Sequence, residues 1–143
     1  MNISFKFKEV DISSFGLIRR PIIPITIISE GKSLDVEALI DSGSDGCVIP
    51  KDLADAIGIK TTKTSEDIGI GGEKIKASVG QITITIDDGK ESITLPKVQV
   101  YVAVEGGTEL EEVIIGREPI FRDFNVIFRQ NSNKIILERA RRA

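Results

Sequence analysis

Ile82, Ile84 and Ile86 occupy every second position of one stretch, and Val98, Val100, Val102 and Val104 do the same in the next. A period of two places such side chains on one face of an extended strand. It does not suit a helix, where apolar positions recur every three or four residues. Asp87-Asp88-Gly89 between the two runs is a turn signal. Ile and Val dominate the apolar residues while aromatics make up only 5%. β-branched side chains suit a pleated, half-buried surface, so composition and periodicity agree on a mostly β fold.

The rest of the 143-residue chain reads the same way. Ile3 to Phe7 alternates as a strand. Pro21 to Ile28 and Leu34 to Ile40 flank the turn Glu30-Gly31-Lys32 and read as a hairpin, with Pro24 at an edge or bulge. After a polar loop and the run Cys47-Val48-Ile49, Pro50 opens a helix through Ile57 that Gly58 stops, with Leu53, Ala54 and Ile57 on one face. Thr61 to Asp67 is polar and reads as solvated. Ile68 to Gly72 reads as a strand running into a glycine-rich turn, and Ile75 to Ile86 and Ile93 to Val104 as strands. Val113-Ile114-Ile115 is a short buried strand ending at Gly116. Arg117 to Phe121 reads as a short helix, and Asn125 to Phe128 with Lys134 to Leu137 as a closing hairpin. No internal repeat or long linker appears. One domain over 1–143 is expected: a small closed β-barrel or sandwich with one or two short helices and a charged tail from about 138 to 143.

Net charge is −3, which offers no basic field for nucleic acid. The N-terminal residues lack the apolar core of a signal peptide, and no apolar run is long enough to span a membrane. A cytoplasmic protein with no nucleic-acid or membrane partner is therefore expected. Cys47 is the sole cysteine, which excludes an internal disulfide, and it reads as a small buried apolar residue. There is no histidine. That removes Ser-His-Asp and Cys-His catalysis as usually built, together with the commonest zinc ligand. Neither a cofactor nor a metal is expected, and chemistry falls to carboxylates, hydroxyls, Lys, Arg or the backbone.

The densest chemistry lies at Ala38-Leu39-Ile40-Asp41-Ser42-Gly43-Ser44-Asp45, where an apolar strand runs straight into a carboxylate, a hydroxyl and a glycine. A carboxylate at the end of a buried strand is costly unless it is hydrogen-bonded or functional. Taken alone, Asp41-Ser42-Gly43 also fits a plain Asx turn. Asp41, Asp45 and Gly46 echo a calcium loop, but Gly43 holds its middle ligand position and the closing Glu is missing.

The stretch resembles the retropepsin-like single-domain aspartic protease family, in a non-viral form, whose active-site loop is Asp-Thr/Ser-Gly. Gly69-Ile70-Gly71-Gly72 looks like the tip of that family's flap hairpin. Ile114-Ile115-Gly116-Arg117 looks like its second signature, two apolar residues followed by Gly and Arg. The resemblance runs from about Ile22 to Leu137. The chain holds no second Asp-Ser/Thr-Gly, so the resemblance implies an endopeptidase assembled from two copies, each giving Asp41 to activate a water. It also implies that Ser42 hydrogen-bonds to the partner loop and that Gly43 offers its N–H to the carboxylate. Asp45 and Arg117 would pair beneath the loop. Residues 69–72 would close over a polypeptide substrate, with Ile70, Ile114 and Ile115 lining apolar pockets. The alternative is an inactive peptide-binding or dimerisation module of the same fold.

Overall fold

The computed structural model describes residues 2–70, 73–103 and 112–140, with the side chains of 63–75 left aside. Twelve strands and two short helices follow one another among them. The expected hairpin joins β4 (Ile22–Ser29) to β5 (Lys32–Ile40), with Ile22 opposite Leu39 and Ser29 opposite Lys32. Pro24 lies on an exposed position of β4, where its missing N–H does no harm. β6 (Cys47–Ile49), β8 (Glu73–Asp87), β9 (Ser92–Ala103) and β10 (Val113–Ile115) complete the central sheet with β7 (Thr61–Ile70).

The strand order is β4-β5-β10-β6-β9-β8-β7, and β8 pairs a second time, with β4. That pairing of Thr26, Ile27 and Ile28 with Thr85, Ile84 and Thr83 closes the sheet on itself. β8 can pair with β7 and β4 in turn as well as with β9 because it is 15 residues long. Closure leaves an interior filled by the alternating side chains: Ile82, Ile84, Ile86, Val98, Val100 and Val102 are all buried, alongside Ile23, Ile27 and Ile115. Val104 lies outside the described residues. A second apolar group, Val48, Ala77 and Ile114 with Tyr101 packed on it, forms a separate cluster. Opposite parity along β6 and β10 separates the two groups, since Cys47, Ile49, Val113 and Ile115 belong to the main core.

Helix α1 (Lys51–Ile57) starts after Pro50 and buries Ala54 and Ile57. Gly58 ends it at φ +69, and the amides of Gly58 and Ile59 satisfy the carbonyls of Asp55 and Ala54. β1 (Asn2–Phe5), β12 (Lys134–Arg139) and β11 (Phe124–Arg129) form a three-stranded sheet of the chain ends. Ile3, Ile135 and Leu137 extend the core into it. The turn after β8 is tied to this sheet, because the Asp88 carboxylate accepts N–H groups of Ser4, Lys90 and Glu91.

Four features depart from the expectations. Residues 61–67 are not a solvated coil but the first part of β7, an edge strand paired with β8. The second helix, α2, runs over Ile120–Asp123 and not Arg117–Phe121, because Pro119 sits at its N-cap and residues 117 and 118 are used in a turn. Glu138 and Arg139 finish β12 instead of starting a loose tail, with the Arg139 guanidinium 5.6 Å from the centroid of Phe124. A further hairpin, β2 (Lys8–Ile12) with β3 (Gly16–Arg20), precedes the barrel.

Candidate active site

Asp41 is the first residue beyond β5. Ala38 and Ile40 on that strand are buried in the core, so the chain enters the loop from a fixed anchor. On one side β5 pairs with β4. On the other it pairs in parallel with β10, Ile115 opposite Ile40. β10 also pairs with β6, Ile114 opposite Val48, so a strand from late in the sequence is inserted between the two strands that flank the loop.

The loop is held from several directions. The Asp41 N–H donates to Ile115 O at 3.0 Å, and the Ser44 N–H donates to Asp41 O at 3.2 Å. The Asp41 carboxylate accepts the Gly43 N–H through Oδ1 at 2.8 Å. Asp41 is half-buried, Ser42 and Gly43 are exposed, and Ser44 is fully buried. Its hydroxyl donates to Gly46 O at 2.8 Å. Among the described residues no ion pair reaches the Asp41 carboxylate.

Beneath the loop lies the segment after β10. The Arg117 N–H donates to Ser44 O at 2.9 Å and the Glu118 N–H to Asp45 O at 3.1 Å. Gly116 sits where the two segments meet. A Cβ there would stand 2.6 Å from Ser44 O and would also overlap Gly46 O, so only glycine permits this approach. The Asp45–Arg117 ion pair is absent among the described residues. Arg117 is exposed, and the main chain ties the two sequence signatures together. Cys47 follows the loop, buried, with its thiol pushed up to about 11 by burial, which makes it no nucleophile.

The other expected site residues are distributed less simply. Gly69 and Ile70 pair with Lys74 and Glu73 at the end of the β7–β8 hairpin, while Gly71 and Gly72 lie outside the described residues. Ile115 has no exposed surface and belongs to the main core, which corrects its expected role as a pocket wall. Ile114 is turned to the other apolar cluster at 6% exposure. Ser44 and the Glu118 amide are structural partners of the loop that residue types alone did not single out, while Gly116 was read only as part of the second signature. The one available signal for Ser44 was a hydroxyl bracketed by Gly43 and Gly46. A cleft of ≈ 600 Å³ borders the far end of the loop at Asp45 and Gly46, between β9 and residues Glu118, Pro119 and Arg122; Asp41 does not line it.

Chemically, the loop presents one oriented, half-buried carboxylate followed by the small residues Ser42 and Gly43. That suits proton transfer if a second acid is brought opposite. A family model described as aspartyl protease matches residues 23–118, which includes both the Asp41 loop and its Gly116 support. The crystal structure of a retropepsin-like aspartic protease from Rickettsia conorii superposes with a TM-score of 0.60 at 16% identity, covering 96% of this chain and 89% of that one. No curated protein matches the sequence.

Proposed function

We propose, from the premise that this chain belongs to the aspartyl protease family and has its retropepsin-like fold, that it is an endopeptidase whose active site forms when two copies pair across their Asp41 loops. One observation carries the reading. Asp41 follows a strand whose end is anchored in the core by Ala38 and Ile40, with its carboxylate oriented by the Gly43 amide and its main chain clamped to Ile115, an arrangement that a plain surface turn does not require.

The chemistry follows from like charges. Two carboxylates at about 3 Å cannot both ionise, so the pair shares a proton and titrates in two steps that belong to the pair. The ionised member takes a proton from a water held between them, and that water's oxygen bonds to the peptide carbonyl carbon. The protonated member donates a hydrogen bond to the developing oxyanion. Its proton then goes to the leaving nitrogen as the C–N bond breaks. Activity is confined to roughly pH 3–6 by those two ionisations.

Ser42, exposed at the loop tip, hydrogen-bonds to the partner loop in this reading, and the Arg117–Ser44 and Glu118–Asp45 main-chain bonds support the loop from beneath. Gly69 and Ile70, at the end of β7, belong to the flap over an extended polypeptide, which binds by main-chain pairing as an added strand. The test is cleavage of an unfolded protein across about pH 3–7 by the native chain and by Asp41→Asn, with the size of both checked in solution. Acid-dependent cleavage lost in the variant supports the reading. Two folded dimers without cleavage would sink it and leave a peptide-binding or dimerisation module.

A further inference from the structure

The β2–β3 ribbon is no part of the barrel. Its strands pack chiefly on each other, and its links to the rest of the chain are few and polar. It also lies outside residues 23–118, the span matched by the family. Yet it carries two of the three exposed large hydrophobic side chains among the described residues, Phe15 at 80% and Leu17 at 69%. Cross-strand register sets Val10 opposite Ile18 and Ile12 opposite Gly16, so the half-buried Val10, Ile12 and Ile18 share one face.

The base of the ribbon is fixed and its position is specific. The Ile40 N–H donates to Pro21 O at 2.9 Å, which joins the end of β3 to the residue immediately before Asp41. Lys8 pairs with Glu37 on β5. Arg19 donates to Gln130 O at 3.1 Å, and Gln130 returns a hydrogen bond to Arg19 O at 3.0 Å. A ribbon anchored beside the catalytic loop therefore ends in a tip with apolar side chains in water.

We propose that this ribbon is an arm that seats on a second copy of the chain and holds the two Asp41 loops together. The proposal rests on the pairing put forward above. Area identifies the occupant. A stable association buries about 1,200–2,000 Å² in total, more than the two exposed loop residues Ser42 and Gly43 contribute by themselves. One Phe side chain alone offers roughly 150–250 Å², and the two arms add Phe15, Leu17 and the Val10–Ile18 face twice over. The ribbon's charges are mixed, Lys8, Arg19 and Arg20 against Glu9 and Asp11. That gives no single-sign field for a lipid surface or nucleic acid, but both signs for a self-complementary contact.

The test is the double variant Phe15→Ser/Leu17→Ser, whose sites are exposed and outside the core. Its monomer–dimer dissociation constant is measured by sedimentation equilibrium, and acid cleavage is followed over a series of protein concentrations. The expected result is dimerisation weakened about 100-fold, an unchanged circular dichroism spectrum, and cleavage that returns as concentration rises. Leu17→Lys serves if the double variant does not fold. A dissociation constant equal to the native value overturns the arm, as does a native chain that stays monomeric. Ribbon-dependent binding to phosphatidylcholine–phosphatidylserine vesicles with dimerisation unaltered overturns it too. A native dimer that cleaves nothing refutes the protease reading alone, since the two dissociation constants still decide the arm.

Discussion

Replacing Gly116 by alanine puts a methyl group against main-chain carbonyls that cannot rotate away. The new Cβ stands 2.6 Å from Ser44 O and also meets Gly46 O, so either β10 or the loop must shift. Overpacking of this kind costs about 1–3 kcal/mol. A shift large enough to relieve it also strains the Arg117–Ser44 and Glu118–Asp45 main-chain bonds, each worth about 1 kcal/mol net. A central figure is about 3 kcal/mol. With an unfolding entropy near ~2.1 cal/mol/K per residue, a chain of 143 residues loses about 10 °C in Tm. Thermal melts followed by circular dichroism measure this, with urea titration showing a lower midpoint at an unchanged slope. Gly80→Ala is the matched comparison. Its closest contact, 2.9 Å, is the Ile59 Cγ2 methyl, a side-chain atom that can move, although Lys60 O lies at 3.0 Å. It should cost about 1 kcal/mol. A Gly116→Ala melt within about 3 °C of native, or a Gly80→Ala variant that is the less stable of the two, would refute the idea that a rigid main-chain approach holds the loop.

Other consequences can be measured directly. Ser44→Ala removes the buried hydroxyl bonded to Gly46 O and should destabilise by about 1–2 kcal/mol, read from the urea midpoint. Asp88 is held below its usual carboxylate range, chiefly by the Glu91 amide and then by those of Ser4 and Lys90. A depressed folded value gives stability that is present above the unfolded pKa and is lost as pH falls through the folded one. Asp88→Asn should therefore flatten the acid limb of a stability–pH curve, and equal limbs in the two proteins would contradict this. The Cys47 thiol, buried and pushed up to about 11, should resist Ellman's reagent at pH 8 in the native state and react promptly in urea. Rapid reaction of the native protein would show that the segment after the loop opens readily.

Most of the barrel was legible because alternation was strong where one face of a strand is buried and the other is not, as at Ile82 to Ile86 and Val98 to Val102. The β4–β5 hairpin and α1 announced themselves through Gly31, Pro50 and Gly58. β7 did not, since Thr61 to Asp67 has no apolar period and its place depends on pairing with β8. The β2–β3 ribbon was missed although Val10 and Ile12 alternate, because its apolar residues feed no core and so belong to no longer pattern. Asp41-Ser42-Gly43 stood out through the abrupt change from Ile40 to a carboxylate. What supports it could not be read from residue types. An Arg beside an Asp motif suggests an ion pair, whereas the loop is tied by amides of Arg117 and Glu118, which every sequence possesses.

The insertion of β10 between β5 and β6 also sets when the loop can exist. Synthesis on the ribosome delivers Asp41 early and Val113 to Gly116 much later. Until that late segment emerges, β5 and β6 border an open slot with unpaired backbone groups, and the loop lacks the Ile115 carbonyl and the Arg117 and Glu118 amides that shape it. The carboxylate is thus translated long before the strand that clamps its main chain, and a truncated product carrying Asp41 keeps the local Gly43 contact but lacks the long-range bonds that fix the loop.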